Sequence, residues 1–99
     1  MSRNNKTNVD VHFERLLLDP EFKKAYAELG PVYKLIREII AYRIAQGISQ
    51  KELAERIGTK QSSISRFEKA MKMPSLSFLN QIANALGLEW EIQFNPKTV

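Results

Sequence analysis

The sequence predicts a mainly α fold: a core of five helices, one extra helix before it and one β-strand after it. Three observations carry this. Apolar residues recur at helical spacing, as in Val32, Leu35, Ile36, Ile39 and Ile40. Residues that start and stop helices punctuate those stretches at short intervals. Only toward the end does the period fall to two, where Leu88, Trp90, Ile92 and Phe94 alternate with Glu89, Glu91 and Gln93. The chain has 99 residues, 43% hydrophobic and 26% charged, which suits one small domain with a folded core.

Residues 1–18 are expected to form a flexible segment. The first eight are polar, and Val9, Val11 and Phe13 then alternate with Asp10, His12 and Glu14 as a short strand would, until Leu16-Leu17-Leu18 breaks the pattern. Residues 19–30 read as an N-terminal helix. Asp19 is a good cap, Pro20 fits the first helical position and Gly30 stands where a helix stops. Phe22, Ala25, Tyr26 and Leu29 share one face of it.

Residues 31–87 form the core domain. Pro31 restarts the chain and Gly47 ends a long amphipathic helix whose inward stripe continues into Arg43. A guanidinium on that stripe requires an acidic partner, because an unpaired interior charge costs several kcal/mol. Ser49 caps a short helix to Ile57, with Glu52 completing a capping box, and Gly58 terminates it. A further helix covers Gln61–Lys69. Pro74 and Ser75 open the last one, with Leu76, Leu79, Ile82, Ala83 and Leu86 inward and Gly87 at its end. Met71 and Met73 suit core filling or an adaptable interface. Residues 88–99 hold the strand. One strand alone is not stable in water, so it needs a partner: a symmetry-related copy, another protein's sheet edge, or Val9–Phe13 of the same chain.

Composition excludes several kinds of chemistry. Without cysteine there are no disulfides, thiolate metal sites or cysteine nucleophiles. His12 is the single histidine and makes neither a metal site nor a catalytic relay by itself. Ser49 and Asp19 are explained as caps, Glu52 and Glu55 lie on a solvated face, and no Gly-rich phosphate loop occurs. The chain is therefore not expected to be an enzyme or to need a cofactor or metal. It has no apolar run near the roughly 20 residues that span a bilayer, and no signal-peptide pattern. The expectation is a cytoplasmic protein with no membrane partner.

The net charge is +4, and residues 49–72 concentrate six basic groups against three acidic ones. A local basic surface suits a polyanion. The same stretch, QKELAERIGTKQSSISRFEK at residues 50–69, meets the packing demands of two short helices crossing steeply. Leu53, Ile57, Ile64 and Phe67 face inward, Ala54 is small enough to lie beneath the crossing, and Gly58 permits a left-handed turn. This is a helix-turn-helix. The inward pair Ile64 and Phe67 leaves Gln61, Ser62, Ser65, Arg66 and Lys69 on the opposite face. Glutamine and arginine can bond bidentately to adenine and guanine edges. Lys60, Lys69 and Lys72 are placed for phosphates, as is Gln50 at the start of the preceding helix. A homodimer would set two reading helices roughly 34 Å apart on successive major grooves of a two-part operator.

Residues 32–87, and above all GISQKELAERIGTKQSSISRFE, resemble the Xre family of phage-repressor-like helix-turn-helix domains, which are five-helix DNA-binding modules. The resemblance implies a partly buried ion pair bridging the helix pair, with Arg43 and Glu68 at the matching positions. Two residues depart from the family pattern. Lys69-Ala70-Met71 replaces a glycine that often follows the glutamate, which either lengthens the helix or changes its ending, and Thr59 replaces a more usual apolar residue.

The flanks LLLDPEFKKAYAELGPVYKLIREII and LGLEWEIQF look like those of HigA-type antitoxins, a branch of that family. This resemblance implies a sequence-specific repressor that neutralises a RelE-like ribonuclease toxin and represses its own operon. Leu88, Trp90, Ile92 and Phe94 are the dimerisation candidates. Phe13, Phe22 and Tyr26 are candidate toxin contacts, although such an aromatic stripe can equally pack on its own domain. The alternatives are a stand-alone Xre-family regulator and, from another class, a protein-interaction adaptor in which Gln61 and Arg66 lack a purpose.

Overall fold

The computed structural model describes residues 8–70, 72–91 and 93–97. Six helices follow one another: α1 (Asn8–Leu16), α2 (Pro20–Glu28), α3 (Gly30–Ala45), α4 (Gln50–Ile57), α5 (Gln61–Glu68) and α6 (Leu76–Ala85). The caps are those the sequence supplies. Asp19 accepts from the Glu21 N–H, Ser49 from Glu52 and Ser75 from Phe78, each at 3.0 Å. The capping box is only half made, since the Glu52 carboxylate turns to Arg56 at 2.7 Å.

The first departure is α1. The alternation at Val9–Phe13 is helical, not a strand, and residues 8–16 form α1. Val9 and Phe13 stand four apart, one helical turn, and both are buried in the core. That burial holds the helix in place. Gly30 is not a stop either. It is the first residue of α3, and the break between α2 and α3 is Leu29 alone.

α3 is the central rod and is buried on two sides. Its Tyr33 packs on Phe22 and stacks on Tyr26, with ring centroids 5.1 and 5.4 Å away. Phe13 closes that aromatic group against Phe22 and Tyr26, both at 6.3 Å. On the other side Leu35 and Ile39 border a groove shared with Leu79 and Ala83 of α6. Arg37 clamps α1 onto α3. It reaches Asp10 at 2.7 Å and the Tyr26 hydroxyl at 3.1 Å, with its guanidinium 5.0 Å from the Phe13 ring centroid. The Tyr26 hydrogen bond first, and then Asp10, hold the Arg37 pKa above its ordinary value despite burial.

The second departure is at the other end. Among the described residues there is no strand. The period-two pattern is real, since Leu88 and Trp90 are half-buried against the body while Glu89 and Glu91 are exposed. A strand also needs a ladder, and the described residues offer none here. Leu88 instead returns its N–H to the Ala83 carbonyl at 2.8 Å, and Trp90 donates its indole N–H to Asn80 at 3.1 Å. Leu76, expected on the inward stripe, is 62% exposed, whereas Leu79, Ile82, Ala83 and Leu86 are buried.

Candidate nucleic-acid interface

α4 and α5 cross over a floor of Leu53, Ala54, Ile64 and Phe67, all buried. Gly58 closes α4 in the left-handed region at φ 81°, and the Gly58 and Thr59 N–H groups both return to the Ala54 carbonyl at 2.9 Å. The crossing is locked by charge. Arg43 of α3 donates from Nε and Nη2 to the two oxygens of Glu68 at 2.6 and 2.8 Å, and each residue is 9% exposed. Its Nη1 donates to the Ile48 carbonyl at 2.6 Å. Gln50 adds an amide N–H to Glu68 at 3.0 Å. One carboxylate thus ties α3, α4 and α5 together, with a fork geometry that fixes direction as well as distance. The acidic partner that the stripe demanded of Arg43 is Glu68.

α5 ends at Glu68, with Lys69 as its cap. Ala70 then takes the left-handed conformation at φ 56° and is 3% exposed. The helix therefore does not run on. The position that favours glycine is filled by alanine, whose methyl group is buried in the core, so packing offsets the conformational cost of about 1–2 kcal/mol.

The surface of α5 opposite that floor is polar. Gln61, Ser62, Arg66 and Lys69 are exposed and Ser65 is half-buried, while Lys60 and Lys72 are exposed at the two ends. Gln61 and Ser62 are in the first turn, and Lys60 caps α5 with no side-chain hydrogen bond, so the helix start presents bare N–H donors. Among the described residues the Arg66 guanidinium makes only a 3.4 Å contact, donating to the Ser62 carbonyl. Gln50 is half-buried, and its bond to Glu68 is a role the sequence did not suggest. Arg37 was missed as well. Its partner Asp10 lies 27 residues away, a separation at which spacing carries no signal.

The flanking candidates fare differently. Phe13 is 0% exposed and is a core residue, so it offers no contact surface. Phe22 and Tyr26 are half-buried, their rings turned onto Phe13 and Tyr33. Leu88 and Trp90 pack on the core, Phe94 is 94% exposed, and Ile92 and Met71 lie outside the described residues. Among the described residues no cluster of His, Cys, Asp or Glu could hold a metal, and no helix is long and apolar enough to cross a membrane.

Comparison with known proteins agrees with this geometry. A family model described as helix-turn-helix matches residues 39–92. Antitoxin HigA1 of Mycobacterium tuberculosis is 37% identical over 86 residues, covering 87% of this chain and 58% of the relative. The chain thus spans less than two thirds of that protein. An uncharacterised HTH-type transcriptional regulator of Methanothermobacter thermautotrophicus is 46% identical over 55 residues, which are 56% of this chain and 75% of the relative. One from Haemophilus influenzae is 43% identical over 53 residues, 54% of each chain. No solved structure matches. The crossing over Ala54 and Gly58, the Arg43–Glu68 lock and the matched residues together make this chain a member of the Xre-type helix-turn-helix family of DNA-binding regulators.

Proposed function

We propose that the chain is a sequence-specific repressor that reads a two-part operator with α5 and acts as the antitoxin of a toxin–antitoxin pair. The carrying observation is the exposed polar row Gln61, Ser62, Arg66 and Lys69 on a helix whose tilt is fixed by a buried carboxylate. In this reading α5 enters the major groove. Gln61 and Arg66 bond to base edges, and Ser62 and Ser65 adapt to neighbouring ones. Lys60, Lys69 and Lys72 meet phosphates and set the register. Gln50 supports Glu68 with one N–H and offers the other to a phosphate.

The antitoxin part rests on the extent of the likeness to HigA1. Its 86 aligned residues outnumber the 54 of the helix-turn-helix match by about thirty, so the alignment reaches into the flanks. The likeness to the two regulators stops at 55 and 53 residues. The half-buried Phe22 and Tyr26 would then border the surface that meets a RelE-like toxin, and the exposed Phe94 would serve a homodimer. The stand-alone regulator is the second reading, favoured by those same shorter likenesses at higher identity.

The experiment is a gel shift with DNA from upstream of the chain's own gene, beside co-purification with the product of the adjoining reading frame. Retarded upstream DNA and a co-purifying small basic ribonuclease support the proposal. Retardation without any such partner gives the stand-alone regulator. No preference for upstream over scrambled DNA overturns the operator reading.

A further inference from the structure

We infer that Phe94 of one copy of this chain seats in the groove between α3 and α6 of a second copy, and the reverse, so that two copies are joined by reciprocal insertion. This deepens the homodimer reading of Phe94 and rests on it. The groove holds about 270 Å³. Its lining is apolar: Leu35, Ile39 and Tyr42 from α3, Leu79 from α6, and Trp90 beyond it. A dry apolar cavity of about 150 Å³ takes up a benzene molecule, so one phenyl ring fits here. Leu35, Tyr42 and Trp90 are only half-buried, which leaves apolar surface open along the groove. Glu38 and Glu89 border it, and both are exposed. Neither carboxylate has a hydrogen-bond or ion-pair partner among the described residues.

Residues 93–97 are the complement of that groove. Phe94 is 94% exposed, so its own chain gives the ring no cover. Lys97 stands three residues on, up to about 10 Å along an extended backbone, and the segment holds no acidic residue. A ring followed by a cation thus matches an apolar slot bordered by carboxylates. Groove and ring lie on one chain, as a twofold interface requires: each surface finds its complement on the other copy. Trp90, four residues before Phe94, belongs to the groove lining and is held there by Asn80. The chain leaves its own groove at Trp90, and the ring of Phe94 stands outside it.

The size of the contact sets its strength. Two inserted rings cover roughly 600–1,000 Å² when both surfaces are counted. That is below the roughly 1,200 Å² at which standard stable interfaces begin. The dimer is therefore expected to dissociate in the micromolar range or weaker.

The test is sedimentation equilibrium of the full chain across the micromolar range, with Trp90 emission recorded on the same samples. The unsubstituted chain is expected to show a monomer–dimer equilibrium, and Trp90 emission to move to the blue as dimer forms. Phe94→Ser changes an exposed residue and is expected to leave far-UV circular dichroism unchanged. It should raise the dimer Kd about 100-fold, because burying a phenyl ring is worth about tenfold or more and two are lost. Lys97→Glu and Glu38→Lys should each weaken the dimer roughly threefold to tenfold, and E38K/K97E should recover most of that loss. A dimer untouched by Phe94→Ser overturns the insertion and leaves the homodimer reading standing. A chain that stays monomeric throughout overturns both. A Trp90 shift in Phe94→Ser that is independent of concentration puts the ring in its own groove, and overturns the exchange between copies.

Discussion

Removing Glu68 tests the lock on the helix pair. Its carboxylate takes two hydrogen bonds from Arg43 and one from Gln50, and the two charged residues are 9% exposed. Glu68→Ala leaves a guanidinium in that site with only the Ile48 carbonyl for company. Breaking one side of such a pair costs about 3–5 kcal/mol, a large share of the roughly 5–15 kcal/mol that holds a small domain together. Arg43→Met leaves the opposite orphan, a buried carboxylate, and is expected to cost about as much. The double variant R43M/E68L buries no charge. Its cost should be well below the sum of the two single costs, giving a coupling energy of at least about 2 kcal/mol. Urea unfolding followed by Trp90 fluorescence measures this. With a slope near 1.5 kcal/mol/M, each single variant lowers the midpoint by about 2 M or more. Single losses that simply add in the double variant would show that the pair is not coupled and would refute the argument.

Other consequences are open to direct measurement. Arg66→Ala or Gln61→Ala should cost about 1–3 kcal/mol of discrimination at one base position, read by binding a panel of singly mutated operators, and equal losses on random DNA would contradict the assignment. Lys60→Ala should weaken all sequences alike and lower the slope of affinity against salt by about 0.9. Gly58→Ala meets no neighbour within 4 Å but keeps φ at 81°, so its cost should be purely conformational, about 1–2 kcal/mol by thermal unfolding. Ala70→Gly releases left-handed strain but removes a buried methyl worth about 0.8 kcal/mol, so its melting temperature should stay within a few degrees of the original.

The helix pair was legible because every one of its packing demands falls on residues close in sequence. Ala54, Gly58, Ile64 and Phe67 sit within fourteen positions, and each has a local reason. Arg43 was legible through a different route. A cation on an apolar stripe states a need, and Glu68 answers it. The two ends were not legible in the same way. At Val9–Phe13 a run of five residues fits two periods, and the tie is broken by Tyr33 and Arg37, which lie too far along the chain for spacing to report. At Leu88–Trp90 the alternation was read correctly, and among the described residues there is no ladder to make it a strand. At Ala70 two outcomes were open, a longer helix or a changed ending, and the burial of its methyl group goes with the second.

The two-sided burial of α3 has a practical meaning for anyone delimiting this protein. The recognised family unit begins at Ile39, part-way along that rod. A fragment cut there would start in mid-helix, discard Tyr33 and Ile36, and lose Val9 and Phe13 from the buried cluster they share with Ile40. The smallest piece able to hold its shape is therefore larger than the piece that touches a base pair, and expression boundaries belong upstream of Asn8.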